Sequence, residues 1–181
     1  MGKKIIAFGA SNSTTSINKR FAMFASNQVT GADVEVLDLN DYPLPLYSPD
    51  LEKTKGIPES ALSFLQKIKD ADGIIVSLAE YNGLHTSAFK NLWDWMSRID
   101  NMNIWQQRPM FLLATSPSRR PESNVMRVSK HLFPHFGANI ISTFQLPSFH
   151  HFFKDGEITE SEYEQKFNTE LIKFQTFLDL N

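Results

Sequence analysis

The stretch Phe8-Gly9-Ala10-Ser11-Asn12-Ser13-Thr14-Thr15-Ser16-Ile17-Asn18 decides how this chain is read. It follows the apolar run Lys4-Ile5-Ile6-Ala7-Phe8, which predicts a buried strand, and precedes residues 17–28, which predict a helix. Between them lie eight residues, of which six are Ser, Thr or Asn and only one is Gly. A helix N-terminus carries unfilled N–H donors that favour an anion, and neighbouring hydroxyls add more. The first helical turn, Ile17-Asn18-Lys19-Arg20, holds no Asp or Glu, although the helix dipole favours acids there. Two readings stand at this point: a site for an external phosphate, or a Ser-rich loop that merely caps the helix.

Outward from this stretch, residues 33–39 alternate polar and apolar and predict a second strand. Residues 41–50 (DYPLPLYSPD) contain three prolines and predict a loop without regular structure. Its Tyr42, Leu44, Leu46 and Tyr47 are too apolar for a loop that meets only water, so they cover a pocket or a second subunit. Pro58 opens a helix that runs to about residue 69. Residues 74–78 (IIVSL) form the continuous apolar run of a strand covered on both faces. A turn at 79–83 and a helix at 87–99 follow. After them come a strand at 110–114, a polar loop at 115–123, a helix at about 122–133 disturbed by Pro134, and a last strand at 139–145. The C-terminal helix opens with Thr159-Glu160-Ser161-Glu162, the pattern of a capping box, and repeats Tyr163, Phe167, Leu171, Phe174 and Leu178 at helical spacing.

Five apolar strands alternating with helices predict an α/β fold: one parallel sheet with helices on both faces. In a 2-1-3-4-5 strand order the loops at 11–16, 80–83 and 115–119 share one edge of the sheet, where such folds bind ligands. That convergence favours the phosphate reading.

Composition narrows the rest. The 181 residues predict a single domain over 1–181. A net charge of −2 gives no electrostatic reason for a nucleic-acid or membrane partner. The absence of cysteine removes disulfides, thiol catalysis and thiolate metal sites. The opening apolar run is shorter than the ~7–15 residues of a signal peptide, and no run approaches the ~20 of a membrane span, so a cytoplasmic protein is expected. His131 and His135 stand four apart, but no carboxylate or thiolate completes a ligand set, and no metal is expected. His85, just after the 79–83 turn, either approaches a substrate or lies at the surface.

The first loop lacks the Lys-Ser/Thr pair of a P-loop and the three glycines of a dinucleotide fingerprint. A hydroxyl-lined loop suits a terminal monophosphate such as that of FMN. Here the chain resembles the NAD(P)H-dependent FMN reductases, the flavodoxin-like group of quinone, chromate and azo reductases. The family loop G-S-x-R-x-x-S-x-N is met at Ser11, Ser16 and Asn18, with Ala10 for the Gly and Ser13 for the Arg. The family's P-E-Y-N-G, L-K-N and D-W correspond to Ala79-Glu80-Tyr81-Asn82-Gly83, Phe89-Lys90-Asn91 and Asp94-Trp95, with Ala79 for the Pro and Phe89 for the Leu. Thr115-Ser116-Pro117-Ser118-Arg119 resembles the family's S-P-G-G-R without its glycines.

The resemblance implies a flavodoxin-like three-layer sandwich with a five-stranded parallel sheet. It implies FMN as cofactor, NADPH or NADH as co-substrate, and a quinone, free flavin, azo or similar small molecule as acceptor. The cofactor-binding residues it implies are Ser11, Ser13, Ser16, Ile17, Asn18, Ala79, Glu80, Tyr81, Asn82, Gly83, Thr115 and Ser116, with no dedicated acid, base or nucleophile. A flavodoxin-type electron carrier and a non-catalytic FMN-binding module are the rival readings. Charge neutralisation at the phosphate falls to hydroxyls, N–H groups, the helix dipole and Lys19 or Arg20. Arg119 and Arg120 are candidate partners for a 2′-phosphate. Helix 87–99 carries two apolar stripes, one of Phe89, Leu92, Trp93 and Met96 and one of Trp95, Ile99 and Met102. Two stripes exceed what one sheet covers, which predicts a homodimer or a dimer of dimers.

Overall fold

The computed structural model describes residues 2–120 and 122–180. The elements run β1 (Lys3–Gly9), α1 (Ile17–Asn27), β2 (Ala32–Leu37), α2 (Pro49–Lys55), α3 (Glu59–Asp70), β3 (Gly73–Leu78), β4 (Glu80–Tyr81), β5 (Leu84–His85), α4 (Ser87–Met96), β6 (Pro109–Thr115), α5 (Asn124–Leu132), β7 (Asn139–Leu146), α6 (Phe149–Phe152), β8 (Phe153–Lys154), β9 (Glu157–Ile158) and α7 (Ser161–Leu180). Short 3-10 turns at Leu39–Asp41, Asp100–Met102 and Phe133–Phe136 join them.

The five long strands pair in parallel in the order β2-β1-β3-β6-β7, which is the expected 2-1-3-4-5 order counted over the long strands. The period-2 alternation of a strand divides the core in two. Ile6 and Phe8 of β1, Ile74 and Val76 of β3, and Met110 and Leu112 of β6 face a layer built on Phe64, Phe89, Trp93, Trp105 and Phe133. Ile5 and Ala7, Ile75, and Phe111 and Leu113 face the other, built on Phe21, Phe149, Phe167 and Phe174. Both faces are dry, which is why these strands read as unbroken apolar runs.

Three expectations change. Residues 41–50 are not all loop: Pro49 sits in the first turn of α2, where its missing N–H is harmless, and Ser48 caps that helix by accepting from Leu51 N–H at 3.1 Å. Helix α4 ends at Met96, and Trp95 of its second stripe is covered from within the chain, whereas Met102 stays 53% exposed. Trp95 is fully buried, its Nε1–H donates to the Pro45 carbonyl at 2.8 Å, and the Tyr47 ring meets it edge-on at 5.1 Å. The Asn91 amide donates to the same carbonyl at 3.0 Å and accepts from Tyr47 N–H at 2.9 Å. The Pro-rich segment thus covers Trp95, and no second subunit is needed to bury that residue. Thr159, finally, does not close a capping box; its hydroxyl points to the His151 carbonyl at 3.5 Å.

Pro134 does not stop the chain but lies in the first turn of the 3-10 segment Phe133–Phe136, and left-handed Gly137 ends it. Among the described residues, no helix is long and apolar enough to cross a membrane.

Candidate cofactor site

Gly9 fixes where the first loop lies. A Cβ there would meet Lys19 N at 2.3 Å, so only glycine lets the start of α1 rest on the end of β1. Asn18 then ties that helix to the sheet. Its side chain, in a residue 3% exposed, accepts from Ser77 Oγ at 2.8 Å and from Thr115 N–H at 3.0 Å, and donates to the Thr115 carbonyl at 3.2 Å. One amide therefore bridges α1, β3 and β6 beneath the loop. Thr86 does the same on the other side: it caps α4 by accepting from Phe89 N–H, and its hydroxyl donates to the Ala10 carbonyl at 2.9 Å.

Above these anchors lies a cleft of about 230 Å3, lined among others by Ser11, Ser13, Ser16, Ile17, Tyr81 and Thr115. Asn18, Ala79, Glu80 and Ser116 also reach it, as do Thr15 and Pro117, which the sequence did not single out. Asn82 and Gly83 are not among its lining residues. They form the tip of the β4–β5 hairpin, both with positive φ (53° and 85°), the backbone that an Asn-Gly turn favours.

The donors at the cleft fit a phosphate. Among the described residues, the N–H groups of Thr14, Thr15, Ile17 and Asn18 find no acceptor, whereas Ser13 N–H is taken by Ser11 Oγ and Lys19 N–H by Ser16 Oγ. Ser16 is thus a cap, and the anion-facing donors are its neighbours' N–H groups. The two readings of the loop are complementary: the cap organises the turn, and the turn presents the free donors.

No cation helps. Lys19 is ion-paired with Asp38, and the Arg20 guanidinium lies over the Phe149 ring at 5.2 Å, pointing to the apolar layer beyond. The expectation that Lys19 or Arg20 neutralises the phosphate is therefore corrected. Asp38 caps the 3-10 turn at Leu39–Asp41 through Asn40 N–H at 3.0 Å. Burial pushes its carboxyl up, but the bonds from Lys19 and Asn40 outweigh burial and hold it below the ordinary range.

Glu80 turns its carboxylate away from the cleft. Its Oε2 accepts from Val125 N–H at 3.0 Å in the first turn of α5, and its Oε1 lies 3.8 Å from Arg120. Both contacts are made inside the chain, and they lash the hairpin to the loop after β6 and the start of α5. Tyr81 spans the mouth of the cleft, its hydroxyl 3.5 Å from Ser11 Oγ.

His85 neither faces substrate nor stands free in solvent. Its ring stacks on Phe133 at 6.0 Å, meets Trp93 edge-on at 5.5 Å, and is hydrogen-bonded through Nε2 to Ser129 Oγ at 2.7 Å. Burial, and secondarily the Lys90 charge, lower its pKa to about 4. The folded protein thus keeps His85 neutral where the unfolded chain, at about 6.5, takes up a proton. Stability contributed by this site is complete above pH 6.5 and falls as the pH drops from there towards 4. Urea midpoints at pH 7 and pH 5 should differ for the wild type, and part of that difference should vanish in His85→Gln, which keeps a hydrogen-bonding group and does not titrate.

His131 and His135 meet edge-on at 5.5 Å, and among the described residues no group of three ligating side chains gathers anywhere.

A parallel sheet of this order, with hydroxyls and free amide N–H groups gathered at its C-terminal edge, is a flavodoxin-like fold with a candidate anion site. The chain belongs to the NADPH-dependent FMN reductase family, whose model it matches over residues 3–151, and it is accordingly an FMN-dependent oxidoreductase with NAD(P)H as co-substrate. It is 28% identical over 155 residues to an NADPH:quinone oxidoreductase of Arabidopsis thaliana, covering 82% of this chain and 76% of that one. It is 34% identical over 117 residues to a 2-hydroxy-1,4-benzoquinone reductase of a Burkholderia species, covering 64% of this chain and 62% of the relative. Its fold is shared with FerB, a flavoenzyme NAD(P)H:(acceptor) oxidoreductase of Paracoccus denitrificans, at a TM-score of 0.77 and 22% identity over 98% of each chain.

Proposed function

We propose that this chain carries electrons from NAD(P)H, through FMN held in the cleft, to a quinone or a similar small acceptor. The observation that carries the reading is the set of free N–H groups of the cleft residues Thr15, Ile17 and Asn18, beside the serines of the same loop at the C-terminal edge of the sheet. Ser11, Ser13, Ser16, Ile17 and Asn18 hold the phosphate. Ala79, Tyr81, Thr115 and Ser116 line the side of the cleft where the ring lies, with the Asn82-Gly83 tip outside it. When bound, FMN supplies the two-electron chemistry, and the protein supplies position and electrostatics.

The chain's own residues have defined tasks. Asn18 and Thr86 keep the cradle rigid, so its donors need no reordering when an anion arrives. The Glu80 contact with α5 holds the hairpin at the cleft's edge. Tyr81, half exposed, offers an aromatic face to a flat ring. The acceptor class comes from the names of the two relatives, both quinone reductases. The same reading makes the protein a homodimer, because Leu84 and Tyr81, paired across the β4–β5 hairpin, expose 57% and 51% of their surface beside the cleft. A monomer mass by light scattering would overturn the dimer.

The test of the function is direct. Purified protein should bind FMN and oxidise NAD(P)H only when both FMN and a benzoquinone are present. Binding of FMN without such turnover would favour an electron carrier or a sensing module, and failure to bind FMN would sink all three readings.

A further inference from the structure

A second cavity, of about 620 Å3, opens on the far side of the loop at residues 116–118. Pro117 lines both spaces, so one strand of backbone separates them. That wall is fixed: Ser148 N–H donates to the Ser118 carbonyl at 2.8 Å, and Phe149 N–H to the Ser116 carbonyl at 2.9 Å. The cleft alone, at about 230 Å3, is smaller than the ~300–1,000 Å3 of ordinary small-molecule sites. A cofactor and a dinucleotide together need more room than it has, and the adjoining cavity supplies it.

The chemistry of this second space is one-sided. Arg119, His150 and His151 line it, and no Asp or Glu does. Among the described residues the Arg119 guanidinium has no ion pair or hydrogen bond, whereas Arg120 next to it reaches Glu80. Ser148 gives an independent sign of a ligand. It lines the cavity, is 8% exposed, and among the described residues its hydroxyl has no partner. Its backbone is left-handed (φ 48°, ψ 49°), a conformation that a non-glycine residue adopts at a cost and that recurs at binding sites. An unused guanidinium, an unused hydroxyl and two imidazoles around one space suit a phosphate, which Arg grips with two parallel N–H bonds.

We propose that this cavity is an anion subsite that takes a phosphate group of the nicotinamide dinucleotide while its nicotinamide end reaches over Pro117 into the cleft. The proposal rests on the oxidoreductase reading for the identity of the dinucleotide. The phosphate is either the 2′-phosphate, present only in NADPH, or the pyrophosphate, present in both dinucleotides.

The experiment uses the FMN-loaded protein. Calorimetry with 2′,5′-ADP measures the subsite without any turnover, and steady-state rates with NADPH and NADH measure its use. Arg119→Ala should weaken 2′,5′-ADP and raise KM for NADPH by about tenfold, the effect of one charge-assisted contact. His150→Ala should act in the same direction, which guards against a fault peculiar to one variant. An unchanged KM for NADH would assign the 2′-phosphate; an equal rise would assign the pyrophosphate. The proposal is overturned if both variants keep wild-type FMN content and melting temperature and yet bind 2′,5′-ADP and both dinucleotides as the wild type does. A wild type that loads FMN but oxidises neither dinucleotide would defeat the enzymatic reading, while the 2′,5′-ADP titration would still decide the subsite.

Discussion

Asn18→Ala should lower the melting temperature by roughly 6–12 °C and strip the protein of most of its FMN affinity. The substitution removes one buried amide and leaves the Ser77 hydroxyl and both backbone groups of Thr115 without a partner in a dry interior. Leaving a buried polar group unpaired costs about 1–3 kcal/mol, and three groups share the loss, with partial relief from relaxation, for an expected total of about 3 kcal/mol. In a chain of this length 1 kcal/mol moves the melting temperature by about 2–4 °C. Asn18 is also the tie that sets the free N–H groups of α1 above the sheet, so the cradle loosens with it. Calorimetric melting with and without FMN separates the two effects: a variant that melts like the wild type would refute the structural role, and one that melts low but binds FMN normally would refute the link to the cradle.

Ser13→Arg should tighten FMN by about 10–100-fold, the yield of one charge-assisted hydrogen bond worth about 1.5–3 kcal/mol. Among the described residues the cleft is lined by no cation, and Lys19 is bound to Asp38 while Arg20 lies over Phe149. Ser13 is a cleft residue whose hydroxyl contacts only Thr15 Oγ1, at 3.4 Å, so little is lost by replacing it. The gain should shrink with added salt, as a screened charge requires. Flavin fluorescence titrations at low and high ionic strength read both quantities. A dissociation constant equal to that of the wild type at low salt would mean that the loop does not hold the phosphate as described.

The sheet and its order were readable because each long strand is an unbroken apolar run and each loop at its C-terminal end is polar. The cleft was readable for the same reason, since topology gathers three separated loops. What stayed hidden has physical causes. Helix α2 buries none of its residues, so no apolar periodicity announces it, and its prolines suggest a breaker where one of them in fact starts the helix. The second stripe of α4 was visible as surplus apolar surface, but a sequence does not say whether the cover comes from a neighbouring subunit or from residues 45–47. Ser77 was visible only as a polar letter in an apolar run. Its partner is 59 residues away, and Thr115 is 97 from the same amide, distances at which spacing carries no signal. Glu80 was legible as part of a motif, yet the motif does not tell that its carboxylate serves a helix end and not the flavin. The Asn82-Gly83 turn was legible as a turn, but not that the chain carries its tip clear of the cleft.

The cluster around Phe21 bears on where this protein can be cut. The family match stops at residue 151, but Phe21, on the helix that presents the phosphate donors, meets Phe153 edge-on at 5.9 Å and Phe167 at 6.2 Å. Phe174 in turn packs on Phe111 in the middle of the sheet at 5.9 Å. The segment that a family boundary would leave out is thus the buttress of the cradle helix. A minimal unit drawn at that boundary would strip the cover from β6 and β7, where α7 packs, so a shortened version of this flavoprotein has to carry α7 with it.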